Sequence, residues 1–212
     1  MRKYLWLSFA VWAVHAQTLE IGVIGGGAFL PGVPVAGAPS LVSAGFQPGL
    51  VAGAAFTQNL YSHLSGEISY LYEQRNLQLS SGSESASFAG RAHVLTYTVL
   101  YHLQPRNALV RPYVAVGGGM KIFEGTGAEV AYQPLMQYAY LTRTRDLKPL
   151  LTFGAGVKVA LRGRMAARFD LRDQFTTFPT KVIAPAPGLA INSWLNDFVP
   201  TVGLEWSLDN AR

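Results

Sequence analysis

Along residues 151–161 the apolar side chains fall on every second position: Leu151, Phe153, Ala155, Val157, Val159 and Leu161. Thr152, Gly154, Gly156, Lys158 and Ala160 fill the places between them. Successive side chains of a strand point to opposite faces, so this period of two predicts a β-strand and excludes an amphipathic helix. The pattern resumes after a short Arg162-Gly163-Arg164 turn, with Ala167, Phe169 and Leu171 opposed by Arg168, Asp170, Arg172 and Gln174. It closes the chain with Val202, Leu204, Trp206 and Leu208 against Thr201, Gly203, Glu205 and Ser207.

Earlier segments keep the same period. Leu19, Ile21 and Val23 oppose Glu20 and Gly22, and Leu50, Ala52, Ala54 and Phe56 oppose Gly49, Gly53 and Thr57. Ile68, Tyr70 and Tyr72 oppose Glu67, Ser69 and Glu73; Leu95, Tyr97, Val99 and Tyr101 oppose Thr96 and Thr98. Val114, Val116, Met120 and Ile122 oppose Ala115, Gly117, Gly119 and Lys121. The result is about eight segments of roughly ten residues, the length a tilted strand needs to cross a bilayer.

The two faces differ in kind. One carries Glu20, Glu67, Glu73, Lys121, Lys158, Arg168, Asp170, Arg172 and Glu205 among glycine, alanine, serine and threonine. The other carries Leu151, Phe153, Val157, Val159, Phe169, Leu171, Val202, Leu204 and Trp206. A soluble barrel places its large apolar side chains inside and its charges outside. Here the charged face with small neighbours suits a narrow interior, and the apolar face suits lipid. Unpaired strand edges cannot sit in hydrocarbon, so the strands must close. The fold class expected is all-β: a closed antiparallel up-and-down transmembrane barrel.

A long uncharged run tests that reading. No Asp, Glu, Lys or Arg lies between Glu20 and Glu67, as in a membrane helix. Yet Pro31, Pro34, Pro39 and Pro48 interrupt it, and an interior proline costs a helix about 3 kcal/mol. The run is strand, loop, strand.

The N-terminus reads as an address. Arg2 and Lys3 precede an apolar stretch at 4–14, and Val14-His15-Ala16 offers small residues where a signal peptidase cuts. Residues 1–16 are therefore expected to be a signal peptide, and 17–212 the barrel domain. The apolar stretch is too short for a helix crossing about 30 Å of hydrocarbon.

Composition removes several function classes. There is no cysteine among the 212 residues, which excludes a disulfide scaffold, a thiol nucleophile and a lipid-modified N-terminal cysteine. The formal charge of +5 includes Arg2 and Lys3, and the other basic residues are scattered without a dense run, so no nucleic-acid partner is expected. His63, His93 and His102 lack metal-ligand spacing. Gly25-Gly26-Gly27 and Gly117-Gly118-Gly119 open no helix that could cradle phosphate; they suit curvature and bulges in a barrel wall. No cofactor or metal is expected.

Connections alternate in length. The gaps near 30–45, 76–91, 124–146 and 176–197 are long, and those near 59–63, 104–111 and 162–164 are short. Long external loops and short periplasmic turns are the asymmetry of an outer-membrane barrel. Tyr61, Tyr101 and Tyr113 near the short turns, and Tyr72, Phe175, Trp194 and Phe198 near the long loops, are candidates for two aromatic girdles.

The stretches Arg111-Pro112-Tyr113-Val114-Ala115-Val116-Gly117-Gly118-Gly119, Arg168-Phe169-Asp170-Leu171-Arg172-Asp173 and Phe198-Val199-Pro200-Thr201-Val202-Gly203-Leu204-Glu205-Trp206 resemble small bacterial outer-membrane barrels of the OmpA-transmembrane and OmpX-like kind. The resemblance covers nearly the whole chain after the signal segment, as a pattern rather than a catalytic signature. It implies eight strands, a location in the outer membrane of a Gram-negative cell envelope, outer-membrane lipids and lipopolysaccharide as surroundings, and delivery by the barrel-insertion machinery. Such barrels commonly end on an aromatic residue. This chain runs on from Trp206 to Asp209-Asn210-Ala211-Arg212.

An eight-stranded barrel is just wide enough to be filled by its own side chains. The inward charges are nearly balanced in sign, which favours mutual pairing over an ion-selective channel. Glu20, Glu205, Lys158 and Arg168 fall at the short-turn end, with Arg168 expected beside Glu205 and Glu20 just beyond. The leading reading is a non-enzymatic envelope protein that presents external loops. A peptidoglycan-binding domain after the barrel is not expected. A narrow passive channel comes second, and a secreted, lipocalin-like ligand-binding barrel third. An outer-membrane lipid hydrolase, with His93 or His102 joined to a serine, is a minor alternative.

The direction of the apolar face separates these readings. Val157→Arg is expected to cost about 2–4 kcal/mol if that face meets the bilayer midplane. Unfolding of the refolded protein in lipid measures it; an unchanged stability would turn the faces around.

Overall fold

The computed structural model describes residues 18–208, so the expected signal segment 1–16, Gln17 and residues 209–212 lie outside the described chain. In chain order the strands are β1 (Thr18–Ala28), β2 (Val33–Pro34), β3 (Val42–Phe46), β4 (Gly49–Asn59), β5 (Leu64–Gln74), β6 (Leu77–Ser81) and β7 (Glu84–Phe88). They continue with β8 (Gly90–His102), β9 (Val110–Gly125), β10 (Ala139–Leu141), β11 (Arg145–Ala160), β12 (Met165–Thr177), β13 (Ile183–Pro185) and β14 (Trp194–Ser207). Among the described residues there is no helix.

The long strands form one closed antiparallel barrel in the order β1-β4-β5-β8-β9-β11-β12-β14, with β14 returning to β1. Ile21 closes the ring, facing Phe56 of β4 on one side and Trp206 of β14 on the other. Each of these eight strands contains one of the alternating segments. The proline-bearing uncharged run becomes β1 to β4, with its prolines at or outside strand ends. Three short connections join β4 to β5, β8 to β9 and β11 to β12. In the last of them Gly163 has φ +71°, a left-handed conformation that side chains with a Cβ adopt at a cost. Gly119 answers a different demand: a Cβ there would lie 2.0 Å from the carbonyl oxygen of Leu95. Only glycine lets β9 approach β8 so closely.

At the opposite end the long connections are not open loops. The short strands β2, β3, β6 and β7 make a four-stranded antiparallel sheet, and β10 pairs with β13. Ala36 and Ala190 bridge the first and last of these connections. Their shared core buries Val42, Ala44, Phe46, Leu77, Leu79 and Ile183, among others. The gaps read as loops are thus a folded cap. Its strands are two to five residues long, too short for period two to stand out from loop sequence.

The cap is seated on the barrel by aromatic and cationic side chains. The rings of Phe46 (β3) and Phe123 (β9) lie 5.1 Å apart. Below them the guanidinium of Arg75 sits 5.4 Å from the Phe46 ring, and Lys121 Nζ 5.5 Å from the Phe123 ring. Each cation–ring contact contributes about 0.5–2 kcal/mol.

Leu77 is fully buried in the cap, and Leu77→Ala is expected to cost about 2–5 kcal/mol. Limited proteolysis should then cut within 30–46 and 76–89 while the barrel strands stay protected. Wild-type resistance across the cap in that variant would show that Leu77 does not hold it together.

Candidate functional site

The most elaborate arrangement of side chains lies inside the barrel. Strand pleating sends alternate residues inward, and the eight walls bring nine predicted charges into two clusters. All nine are buried.

The cluster at the short-turn end centres on Arg168 of β12. Its guanidinium donates to both oxygens of Glu67, to Asp170 and, at 3.0 Å, to Glu205 Oε1. Lys158 Nζ lies 2.7 Å from Glu20 and 2.7 Å from Glu205, so Glu20 joins Arg168 through a lysine and the shared Glu205. Arg172 donates to Glu67 at 3.0 Å, to Asp170 at 3.3 Å and to the Thr98 hydroxyl at 3.2 Å. Tyr113 donates its phenol proton to Asp170 at 2.7 Å, and the Arg168 guanidinium lies 5.6 Å from its ring.

The second cluster lies beneath the cap. Lys121 Nζ donates to Glu73 at 2.9 Å, to Asp197 at 2.6 Å and to the Gln174 amide oxygen at 3.1 Å. Arg75 donates to Glu73 and Asp197 from the other side. Two acids meet two bases.

Arg75, Arg111 and Asp197 are buried charges that the strand reading passed over. Arg75 lies just past β5, whereas Arg111 and Asp197 stand near the starts of β9 and β14, beside the connections. Parity was the available signal: Asp197 shares the phase of Glu205, and Arg111 that of Lys121. Tyr113 corrects a girdle assignment. It is 1% exposed and faces the interior, because it too has the parity of Lys121.

The outer wall is apolar. Leu151, Phe153, Phe169, Leu171, Val202, Leu204 and Trp206 are exposed on it, and Val157 and Val159 are half-buried on the same face. Tyr61, Tyr101, Trp194 and Phe198 are exposed, and Tyr72 and Phe175 half-buried.

The histidines separate. His93 points outward, its Nδ1 2.7 Å from the Tyr70 hydroxyl. His63 Nδ1 lies 2.7 Å from the backbone oxygen of His102. His102 Nε2 lies 3.1 Å from Ser65 Oγ, which donates to Asn59 at 2.8 Å. Ser65, His102 and Asn59 are all fully buried, and His102 Nδ1 has no hydrogen-bond partner. A hydrolytic triad needs a third group on that nitrogen and a substrate within reach of the serine. Among the described residues no group of acids and histidines could hold a metal.

Among the ion pairs the interior narrows to a small void. The void lined by Ser69, Thr96, Thr152, Arg168 and Arg172 has a volume of about 20 Å³, room for no more than a water molecule.

Arg168→Ala would leave Glu67, Asp170 and Glu205 short of a cation, and removing one partner of a buried pair costs about 3–5 kcal/mol. A lower urea midpoint in detergent is expected, with partial recovery when Glu67→Gln is added. An unchanged midpoint would mean that the pairs contribute nothing to stability.

No protein-family model matches the sequence, and no curated protein is significantly similar to it. Solved structures are. Neisserial surface protein A (NspA) superimposes with a TM-score of 0.61 at 10% identity, over 92% of this chain and 100% of its own. The outer membrane protein OprG from Pseudomonas aeruginosa gives 0.58 at 14% identity, over 91% of this chain and 96% of its own. At such identities the likeness speaks for architecture, and the architecture is the closed eight-stranded antiparallel barrel of small outer-membrane proteins.

Proposed function

We propose that this protein is a non-enzymatic outer-membrane barrel that holds a folded cap at the cell surface. One observation carries the reading: the polarity of the barrel is inverted relative to a soluble one. Its charges are inside and paired, and its large apolar side chains are outside. In water such a wall would expose far more contiguous apolar surface than a soluble monomer tolerates. Outer-membrane lipids and lipopolysaccharide would cover it, after delivery by the barrel-insertion machinery. The short turns then face the periplasm and the cap faces out.

The alternatives fit less well. A lipocalin-like carrier needs an apolar cavity, and this interior holds ion pairs. A passive channel needs a water path, and the buried ion pairs of the Arg168 cluster and then the apolar core of the cap lie along the interior. A hydrolase needs an accessible nucleophile, and Ser65 is sealed in the wall.

The refolded protein is expected to run at a different apparent mass on SDS gels before and after boiling, and to require detergent. In planar bilayers it should give no stepwise conductance. A chain soluble without detergent would refute membrane residence; steady conductance steps would favour the channel.

A further inference from the structure

The strand register aligns an outward-facing polar row near the capped end of the wall. Across β5, β8, β9 and β11, Gln74 stands opposite Arg91, Arg91 opposite Glu124, and Glu124 opposite Arg145. The next outward row is Tyr72, His93, Ile122 and Leu147, and the one after it Tyr70, Leu95, Met120 and Pro149. A charged row therefore gives way, within two residues along each strand, to an aromatic and apolar wall.

Glu124 organises the row. One of its oxygens accepts from Arg91 Nε at 2.8 Å, and the other from Arg145 Nε at 2.9 Å and Nη2 at 2.8 Å. Arg143 lines the same cleft of about 620 Å³, together with Thr126 and Thr144. Two guanidinium groups thus share one carboxylate, and a third, that of Arg143, lines the same cleft. The Arg145 side chain is 69% exposed and that of Arg91 37%, so neither is spent on packing.

We infer that this cleft binds the phosphate of a phosphorylated outer-leaflet lipid, whose acyl chains lie along Leu95, Met120, Ile122 and Leu147. The inference rests on the membrane placement proposed above and names a ligand for one patch of that wall. Glu129 accepts from the Arg143 backbone amide at 2.6 Å, so three arginines face two carboxylates, and the remaining positive charge with its guanidinium forks suits a phosphate anion. Glu124 positions Arg91 and Arg145 by their Nε atoms before any ligand arrives, which lowers the cost of ordering two long side chains. The apolar rows below distinguish a lipid from a free anion.

The test uses the refolded barrel in phosphatidylcholine nanodiscs doped with bisphosphorylated lipid A or with the same lipid stripped of phosphate. Lipid retained after transfer to detergent is counted by native mass spectrometry. Wild type should retain the phosphorylated form about tenfold over the stripped one, the scale of one good charge-assisted contact. A variant with Arg91→Gln, Arg143→Gln, Arg145→Gln and Glu124→Gln removes the charge of the row while keeping its polarity, and should lose that preference. Equal retention of both lipids by wild type, or an undiminished preference in the variant, would overturn the site. Inorganic pyrophosphate bound by the detergent-solubilised wild type as tightly as the phosphorylated lipid would show that the apolar rows add nothing, and would overturn the lipid assignment. Loss of the boiling-dependent gel shift in wild type would instead strike at membrane placement itself, so the two failures are distinguishable.

Discussion

Closure of the wall is the constraint on which everything else in this protein depends. A backbone amide or carbonyl left without a partner in hydrocarbon costs several kcal/mol, and a row of them along an open edge is untenable. Pairing β1 with both β4 and β14 removes the edges. Once the ring is closed, the pleat assigns each side chain to one of two environments. One residue of slip in any strand would exchange lipid-facing for inward-facing side chains along its whole length.

The narrowness of an eight-stranded ring then dictates the chemistry inside. There is little room for water, so ions sent inward must neutralise one another. Arg168 does so by binding acids from β5, β12 and β14, and Lys158 by lying between β1 and β14. These contacts tie together strands that are not neighbours in the wall. The cluster beneath the cap does the same with β5, β9 and β14, and presents its cations to the aromatic floor above. Barrel and cap therefore share one continuous interior, polar below and apolar above. That continuity fills the interior of the ring with its own side chains.

The outer surface carries its own grading. Apolar rows run along the wall, tyrosine and histidine follow, and the arginines around Glu124 come last. That sequence of chemistries follows the depth profile of a bilayer, from hydrocarbon to headgroup. Strand register lines up Arg91, Glu124 and Arg145, and Arg143 joins them from the connection that precedes β11.

The eight wall strands, their faces and the alternation of short and long connections were legible in the sequence. A strand's period is a local property, and a segment of about ten residues repeats it often enough to be read. The same parity places Glu67, Arg168 and Glu205 on inward faces. It also holds for Asp197, Arg111 and Tyr113, which lie near the starts of β14 and β9, where the alternation merges with the connection before it. Tertiary structure alone decided which charge meets which: Arg168 lies one hundred and one residues from Glu67 in sequence, and only the stagger of a closed ring brings them to one height. The cap was likewise beyond local reading. Its strands of two to five residues bury nothing by themselves, and they form a core only because closure of the barrel gathers all the long connections at one rim.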